Sequence, residues 1–197
     1  MKKTILAMAL SAAALTPALA APVQWTVGMG GNDHWYEFVS AGVSWHTARA
    51  AALASIHLGQ QGYLVTITSA AENAFALGTV GKNVQSWGGG SDMAVEGNWR
   101  WMDGPEAGTL FWQGGPGGAA FGFQNWNGGE PNNVGDEDGL HLNHNTPLGW
   151  NDAPLSFGLS YIIEYQPAHQ VVPEPMSLAL VLPALVAVGL ASRRRRR

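Results

Sequence analysis

There is no cysteine among the 197 residues. That excludes thiol catalysis, thiolate metal sites and disulfide cross-links, and leaves the apolar core and any bound metal to hold the fold. Basic residues are scarce where the chain would fold. Seven of the ten lie at the ends, as Lys2, Lys3 and Arg193 to Arg197, leaving Arg49, Lys82 and Arg100 between them. Thirteen of the fourteen acidic residues fall in that same interior, which therefore carries −10, against −4 for the whole chain. Such a body does not bind nucleic acid by counterion release. It suits a cation-rich exterior.

Long apolar runs are absent from the body and occur only at the two ends. At the N-terminus, Lys2 and Lys3 precede an apolar run from Ile5 to Leu15, and Ala18-Leu19-Ala20 supplies a small-x-small cleavage pattern. This reads as a signal peptide over residues 1–20, with cleavage between Ala20 and Ala21. At the C-terminus, Pro173, Glu174 and Pro175 are followed by an apolar run from Met176 to Ala191 and then by the five arginines. As a helix the run would extend ~25 Å at ~1.5 Å per residue, slightly short for a bilayer core. Pro183 and Gly189 weaken it as a permanent span. The arginines would remain cytoplasmic, with the body on the other side. The order of these parts, over residues 172–197, resembles the PEP-CTERM sorting signal of Gram-negative bacteria. The resemblance implies an exosortase, a membrane protease, as partner. The chain would be exported through the inner membrane, anchored transiently by the C-terminal transmembrane helix, and released to the cell surface or the extracellular matrix of a biofilm.

About 150 residues remain, enough for one domain with its own core. After a lead-in over residues 21–33, "HWYEFVSAG" (His34 to Gly42) has the content of an edge strand. "SWHTARAAALAS" reads as a helix with Ser44 as N-cap and Trp45, Ala48 and Ala52 on one face. "GYLVTI" (Gly62 to Ile67) is a strand, and Ser69-x-x-Glu72 is a capping box opening a second helix. "NWRWMDG" (Asn98 to Gly104) looks like a strand entering a turn, and "LSYIIEYQ" (Leu159 to Gln166) like a closing strand. The stretch between Gly104 and Gly149 is too long for an ordinary connection, and its aromatic residues argue against disorder. The pattern predicts an α+β domain over residues 34–166, with residues 167–171 as linker.

Within that stretch, "NWNGGEPNNVGDEDGLHLNHNTPLGWND" (Asn125 to Asp152) gathers carboxylates with no basic residue among them. Calcium takes six to eight oxygen ligands from carboxylates, amide carbonyls and water. Glu130, Asn132, Glu137, Asn151 and Asp152 offer three carboxylates and two amides. A cis bond at Pro131 would aim its two flanking side chains the same way. Zinc is poorly served by His141 and His144, three apart in a loop, and a solvated position is expected for both. Spacing alone leaves a cation site and a solvated turn as equal readings.

The motifs, taken in order, resemble those of the C-type lectin-like domain. They are Trp45-x-x-Ala48, "GYLVTITSAAENAF" (Gly62 to Phe75), the Trp87 to Asp92 run, "EGNWRWMDG" (Glu96 to Gly104), "NWNGGEPNN" (Asn125 to Asn133), Glu137-Asp138-Gly139 and Trp150-Asn151-Asp152. The resemblance implies two helices, small antiparallel sheets and a long calcium-binding loop region. It implies Ca2+ held by Glu130, Asn132, Glu137, Asn151 and Asp152, with Glu130, Asn132, Glu137 and Asn151 also bonding the sugar. The Glu-Pro-Asn form implies mannose-type sugars, in a glycan or an exopolysaccharide. Asp138 is implied in an auxiliary calcium site whose other ligands the sequence does not name. The family's usual cysteines are replaced at or near Ala52, Gly139, Leu155 and Ile163, so the loops should lean more on metal. The Gly88-Gly89-Gly90 run is expected to soften a normally apolar core motif.

Two functions compete. One is a calcium-dependent carbohydrate-binding module, and the other is a structural or protein-interaction domain of the matrix that uses the fold without sugar. Metal-dependent hydrolysis has no support, since no base stands beside an open metal position, and the chain is read as a non-enzyme.

Overall fold

The computed structural model describes residues 21–167. The expected signal peptide over residues 1–20, the Pro173-Glu174-Pro175 motif and the C-terminal apolar run, expected as a transmembrane helix, lie outside the described residues. Among the described residues no helix is long and apolar enough to cross a membrane.

The elements follow the sequence pattern. Strand β1 (Val23–Gln24) leads through a 3-10 turn (Val27–Met29) to β2 (Trp35–Val43). Helix α1 (Trp45–Ala54) comes next, then β3 (Ile56–His57) and β4 (Gln60–Leu64). Helix α2 (Ala70–Asn73) runs on as wider π turns over Ala74–Val80. The remaining strands are β5 (Ser86–Ser91), β6 (Asn98–Trp101), β7 (Leu110–Gln113), β8 (Ala119–Ala120), β9 (Gly139–Leu142), β10 (Trp150–Ala153) and β11 (Leu159–Tyr165).

Strand β11 is the hub. It runs antiparallel to β2 (Ile162 opposite Phe38) and to β4 (Glu164 opposite Tyr63), and parallel to β5 (Ser160 opposite Ser86). The closing strand thus lies beside the opening one, and β2 keeps a mostly free outer edge because β1 covers only Trp35 and Tyr36. Strands β5 to β8 continue the sheet, and β9 joins it through β5 while pairing with β10.

Local signals account for the helices. Ser44 Oγ accepts from the Thr47 N–H, and Trp45, Ala48 and Ala52 are fully buried. Trp45 also donates its indole N–H to the Gly88 carbonyl. The capping box forms only in half. Ser69 Oγ accepts from the Glu72 N–H, but the Glu72 carboxylate reaches Thr68 and Tyr36 instead of the cap's own N–H.

The glycine run is packed tightly, contrary to the softening expected from sequence. All of β5 is buried, and a Cβ on Gly89 would lie 2.5 Å from the Leu64 carbonyl oxygen. On Gly88 and Gly90 it would press on Leu142, Leu140 and Phe111. Glycine lets two backbones approach there, and the side chains of neighbouring strands fill the space.

Apolar contacts stand where covalent links are lacking. Ala52 and Ile163 share one buried cluster, and a Cβ on Gly139 would lie 3.1 Å from a Leu155 methyl carbon. In the long loops, Trp126 packs edge-on against Trp150 with ring centroids 5.9 Å apart, and Trp101, Phe111 and Phe123 also meet Trp150. Trp150 anchors this cluster by donating its indole N–H to Asn73 on α2.

Candidate metal centre

The β9–β10 hairpin sets Asn151 opposite His141 and Asp152 opposite Leu140. Trp150 holds the preceding loop on both sides, accepting from the Asn127 N–H and donating to the Asn125 carbonyl. The chain then turns through a cis Glu130–Pro131 bond, the isomer considered from sequence. Asp152 fixes the backbone just beyond that bond. Its two carboxylate oxygens accept from the N–H groups of Asn132 and Asn133, at 3.1 and 2.7 Å. Further along, the Val134 N–H donates to Asn132 Oδ1 and Glu137 Oε2, and the Glu137 N–H to Asn133 Oδ1.

Glu130, Asn132, Glu137 and Asn151 consequently line one cavity of about 340 Å³. Asp152, the fifth expected ligand, is buried and braces the loop that carries two of the others. Asn151 uses its amide N–H on the carbonyl of Asp152.

The electrostatics are those of a site short of positive charge. Glu130 Oε2 is buried without a hydrogen-bond partner. Burial, followed by the Asp152 charge, pushes the Glu130 carboxyl above the usual carboxylate range, and Glu137 is raised by the same two causes. Among the described residues, the salt bridges are His34–Glu164 and Arg49–Asp103, and neither involves these loops. A buried carboxylate oxygen with no donor calls for a cation. The five expected ligands offer only hard oxygens, which fits calcium better than zinc.

A second acidic group lies nearby. Carboxylate oxygens of Asp92, Glu96 and Asp138 come within 4.8 Å of one another. Asp92 is 2% exposed; its Oδ2 accepts from the Gly97 N–H at 2.8 Å, and its Oδ1 has no partner. Burial, then the charges of Glu96 and Asp138, push its carboxyl up to about 7. Asp138 is the auxiliary residue expected from sequence, whereas sequence reasoning missed Asp92 and Glu96 as its companions. Both sit inside family motifs, at the end of the Trp87 run and the start of "EGNWRWMDG", and nothing local marks either as a ligand. The β5–β9 pairing, with Ser91 opposite Gly139, brings Asp92 beside Asp138.

The histidines differ from expectation. His141 is 3% exposed, because β9 pairs with β5 and sets it opposite Trp87. Its Nε2 lies 3.0 Å from Gln85 Oε1, and its ring centroid is 4.7 Å from that of His144. Burial, then the charge of His144, lowers His141 to about 4, so it is neutral at physiological pH. His144 is half-buried, with an unpartnered Nδ1. Both rings line the cavity beside Glu130.

Comparison with known proteins agrees with this fold. The model of the Lectin C-type domain matches residues 43–162. Halomucin of Haloquadratum walsbyi is 42% identical over 138 residues, 68% of this chain and 1% of that protein. The CD209 antigen of Homo sapiens is 36% identical over 132 residues, 66% of this chain and 27% of that protein. The chain thus spans about a quarter or less of these two relatives. The C-type carbohydrate-recognition domain of cow CD23, solved in the presence of a GlcNAc2Man3 oligosaccharide, superposes with a TM-score of 0.54 at 26% identity. That match covers 70% of this chain and 92% of that one. With strand order, the loop motifs and a family match over most of the folded body in agreement, the chain belongs to the Lectin C-type domain family.

Proposed function

We propose that the domain is a calcium-dependent carbohydrate-binding module with a preference for mannose-type sugars. The observation that carries this reading is Glu130 Oε2, buried without a partner in the cavity that Asn132, Glu137 and Asn151 also line. Calcium would be held by Glu130, Asn132, Glu137, Asn151 and Asp152, and would offer two remaining positions to vicinal sugar hydroxyls. Those hydroxyls donate to Glu130 and Glu137 and accept from the amides of Asn132 and Asn151, in charge-assisted bonds specific for one arrangement of hydroxyls. Asn151 must release the Asp152 carbonyl to do so. Asp92, Glu96 and Asp138 suit a second calcium ion, which would tie β5 to the Glu137–Asp138 loop. The relation to CD209 and to the carbohydrate-recognition domain of cow CD23 supports the sugar-binding role.

The proposal extends to sorting. Residues 1–20 direct export and are removed, and an exosortase that recognises the Pro173-Glu174-Pro175 signal removes the C-terminal tail, releasing the domain into an extracellular polysaccharide matrix. One experiment reads both halves. Protein recovered from outside the producing cells should be retained on mannose-agarose in millimolar calcium, elute with EGTA, and lack Arg193 to Arg197 by mass spectrometry. Flow-through in calcium would leave a structural or protein-interaction domain as the better description. An intact tail would overturn the sorting reading alone.

A further inference from the structure

The cavity beside Glu130 is also lined by apolar side chains that have no part in holding a cation. These are Val134, Phe157 and Leu159. Phe157 is 50% exposed. It closes a tight turn in which its N–H donates to the Pro154 carbonyl at 2.9 Å, in the connection from β10 to β11. The hairpin strand that presents Asn151 therefore runs within a few residues into the turn that presents Phe157, so ring and ligand share one rigid support. Phe157 belongs to neither buried cluster of the domain, and its packing contributes little to the fold.

A pyranose has two chemically different surfaces, a rim of hydroxyls and faces of C–H groups. The carboxylates and amides of this cavity match the rim, and an exposed aromatic ring matches a face by apolar burial. At about 340 Å³ the cavity falls at the lower end of the roughly 300–1,000 Å³ of sites that enclose a ligand of drug size. A hexose held by one edge at the cation fills only part of that. Resting on the sugar-binding reading above, we infer that Phe157 is a specificity-determining residue that stacks against the second residue of a glycan. The unit the module recognises is then at least a disaccharide.

The test uses the domain of residues 21–167, whose sheet and core are complete, titrated in calcium with methyl mannoside and with a set of mannobioses. At least one mannobiose should bind the wild type more tightly than the monosaccharide. Phe157→Ala should lose that advantage, about three- to tenfold in Kd, while leaving methyl mannoside within twofold. Phe157→Trp should keep the advantage. Unchanged melting temperatures would exclude a folding effect, as expected for an exposed ring. A wild type that binds mono- and disaccharides equally, or a Phe157→Ala variant that keeps the disaccharide advantage, overturns the subsite and leaves the calcium–sugar reading standing. Failure of every sugar to bind the wild type in calcium overturns both.

Discussion

Glu72 and Glu164 lie buried between β2, β11 and the start of α2, and each of their four carboxylate oxygens has a donor. Glu72 accepts from the Tyr36 hydroxyl, the Asn32 amide and both the N–H and hydroxyl of Thr68. Glu164 accepts from the Thr66 N–H and faces His34 Nδ1 at 2.5 Å. Around the long loops, Asp92 just after β5 is buried and Glu130 is half-buried, yet each leaves a buried oxygen unpartnered. One acidic region brings its own donors and counter-ion, and the other is arranged for a charge that comes from outside. A fold tolerates buried carboxylates in either form, but the first is satisfied within the protein and the second only when the ion is present.

The largest effect should come from breaking the self-contained cluster. His34→Ala leaves Glu164 buried beside Glu72 without its counter-ion, and loss of one partner of a buried pair costs about 3–5 kcal/mol. The melting temperature should fall by about 6–20 °C, at about 2–4 °C per kcal/mol, with and without calcium alike. His34→Ala combined with Glu164→Gln should recover much of the loss, since no uncompensated charge then remains. A loss that calcium rescues would erase the distinction between the two regions.

Calcium itself should rank next. At a hundredfold excess over Kd, a ligand of the folded state adds about 2.7 kcal/mol, or roughly 5–10 °C here, relative to EGTA. Glu130→Ala with Asn151→Ala should remove most of that gain and leave the EGTA curve close to that of the wild type. Asp152 is a poorer choice for this test, because its substitution would also release Asn132 and Asn133. Magnesium should substitute weakly, given its tighter octahedral shell. Coincident melting curves in calcium and EGTA would reduce the loops to solvated turns.

The smallest effect is the pH dependence, and it sharpens the comparison. Burial lowers His34 but its contact with Glu164 raises it further, so that its net shift is upward. Its stabilisation is full below the unfolded value near 6.5 and fades as pH rises through the folded value. Asp92, pushed up to about 7, acts in the same direction. Its contribution is full below the usual carboxylate range and is lost as pH rises through about 7. In EGTA these two groups should therefore contribute more stability at about pH 5 than at about pH 8, against His141, whose lowered value acts in the opposite direction. Calcium should flatten the Asp92 part by favouring the anion, and Asp92→Asn should remove that part without calcium. The His34 part should persist in both. His34→Ala and Asp92→Asn variants whose pH profiles in EGTA have the same shape as that of the wild type would contradict both assignments.

Features that are local in the chain were legible from its residues alone. The cap at Ser44, the buried face of α1, the strands at both ends of the domain and the gathering of Glu130, Asn132, Glu137 and Asn151 around one cavity depend on neighbours a few residues apart or on motifs that travel whole. Features that depend on strand register were not. His34 meets Glu164 across 130 positions because β2 lies beside β11, and Asp92 meets Asp138 because β5 lies beside β9. The same register buries His141, for which a solvated loop position is expected from sequence, and makes Gly89 a point of backbone contact. Residue type fixes which groups want a partner, but only the pairing of distant strands fixes whether they find one within the protein or need an ion from outside.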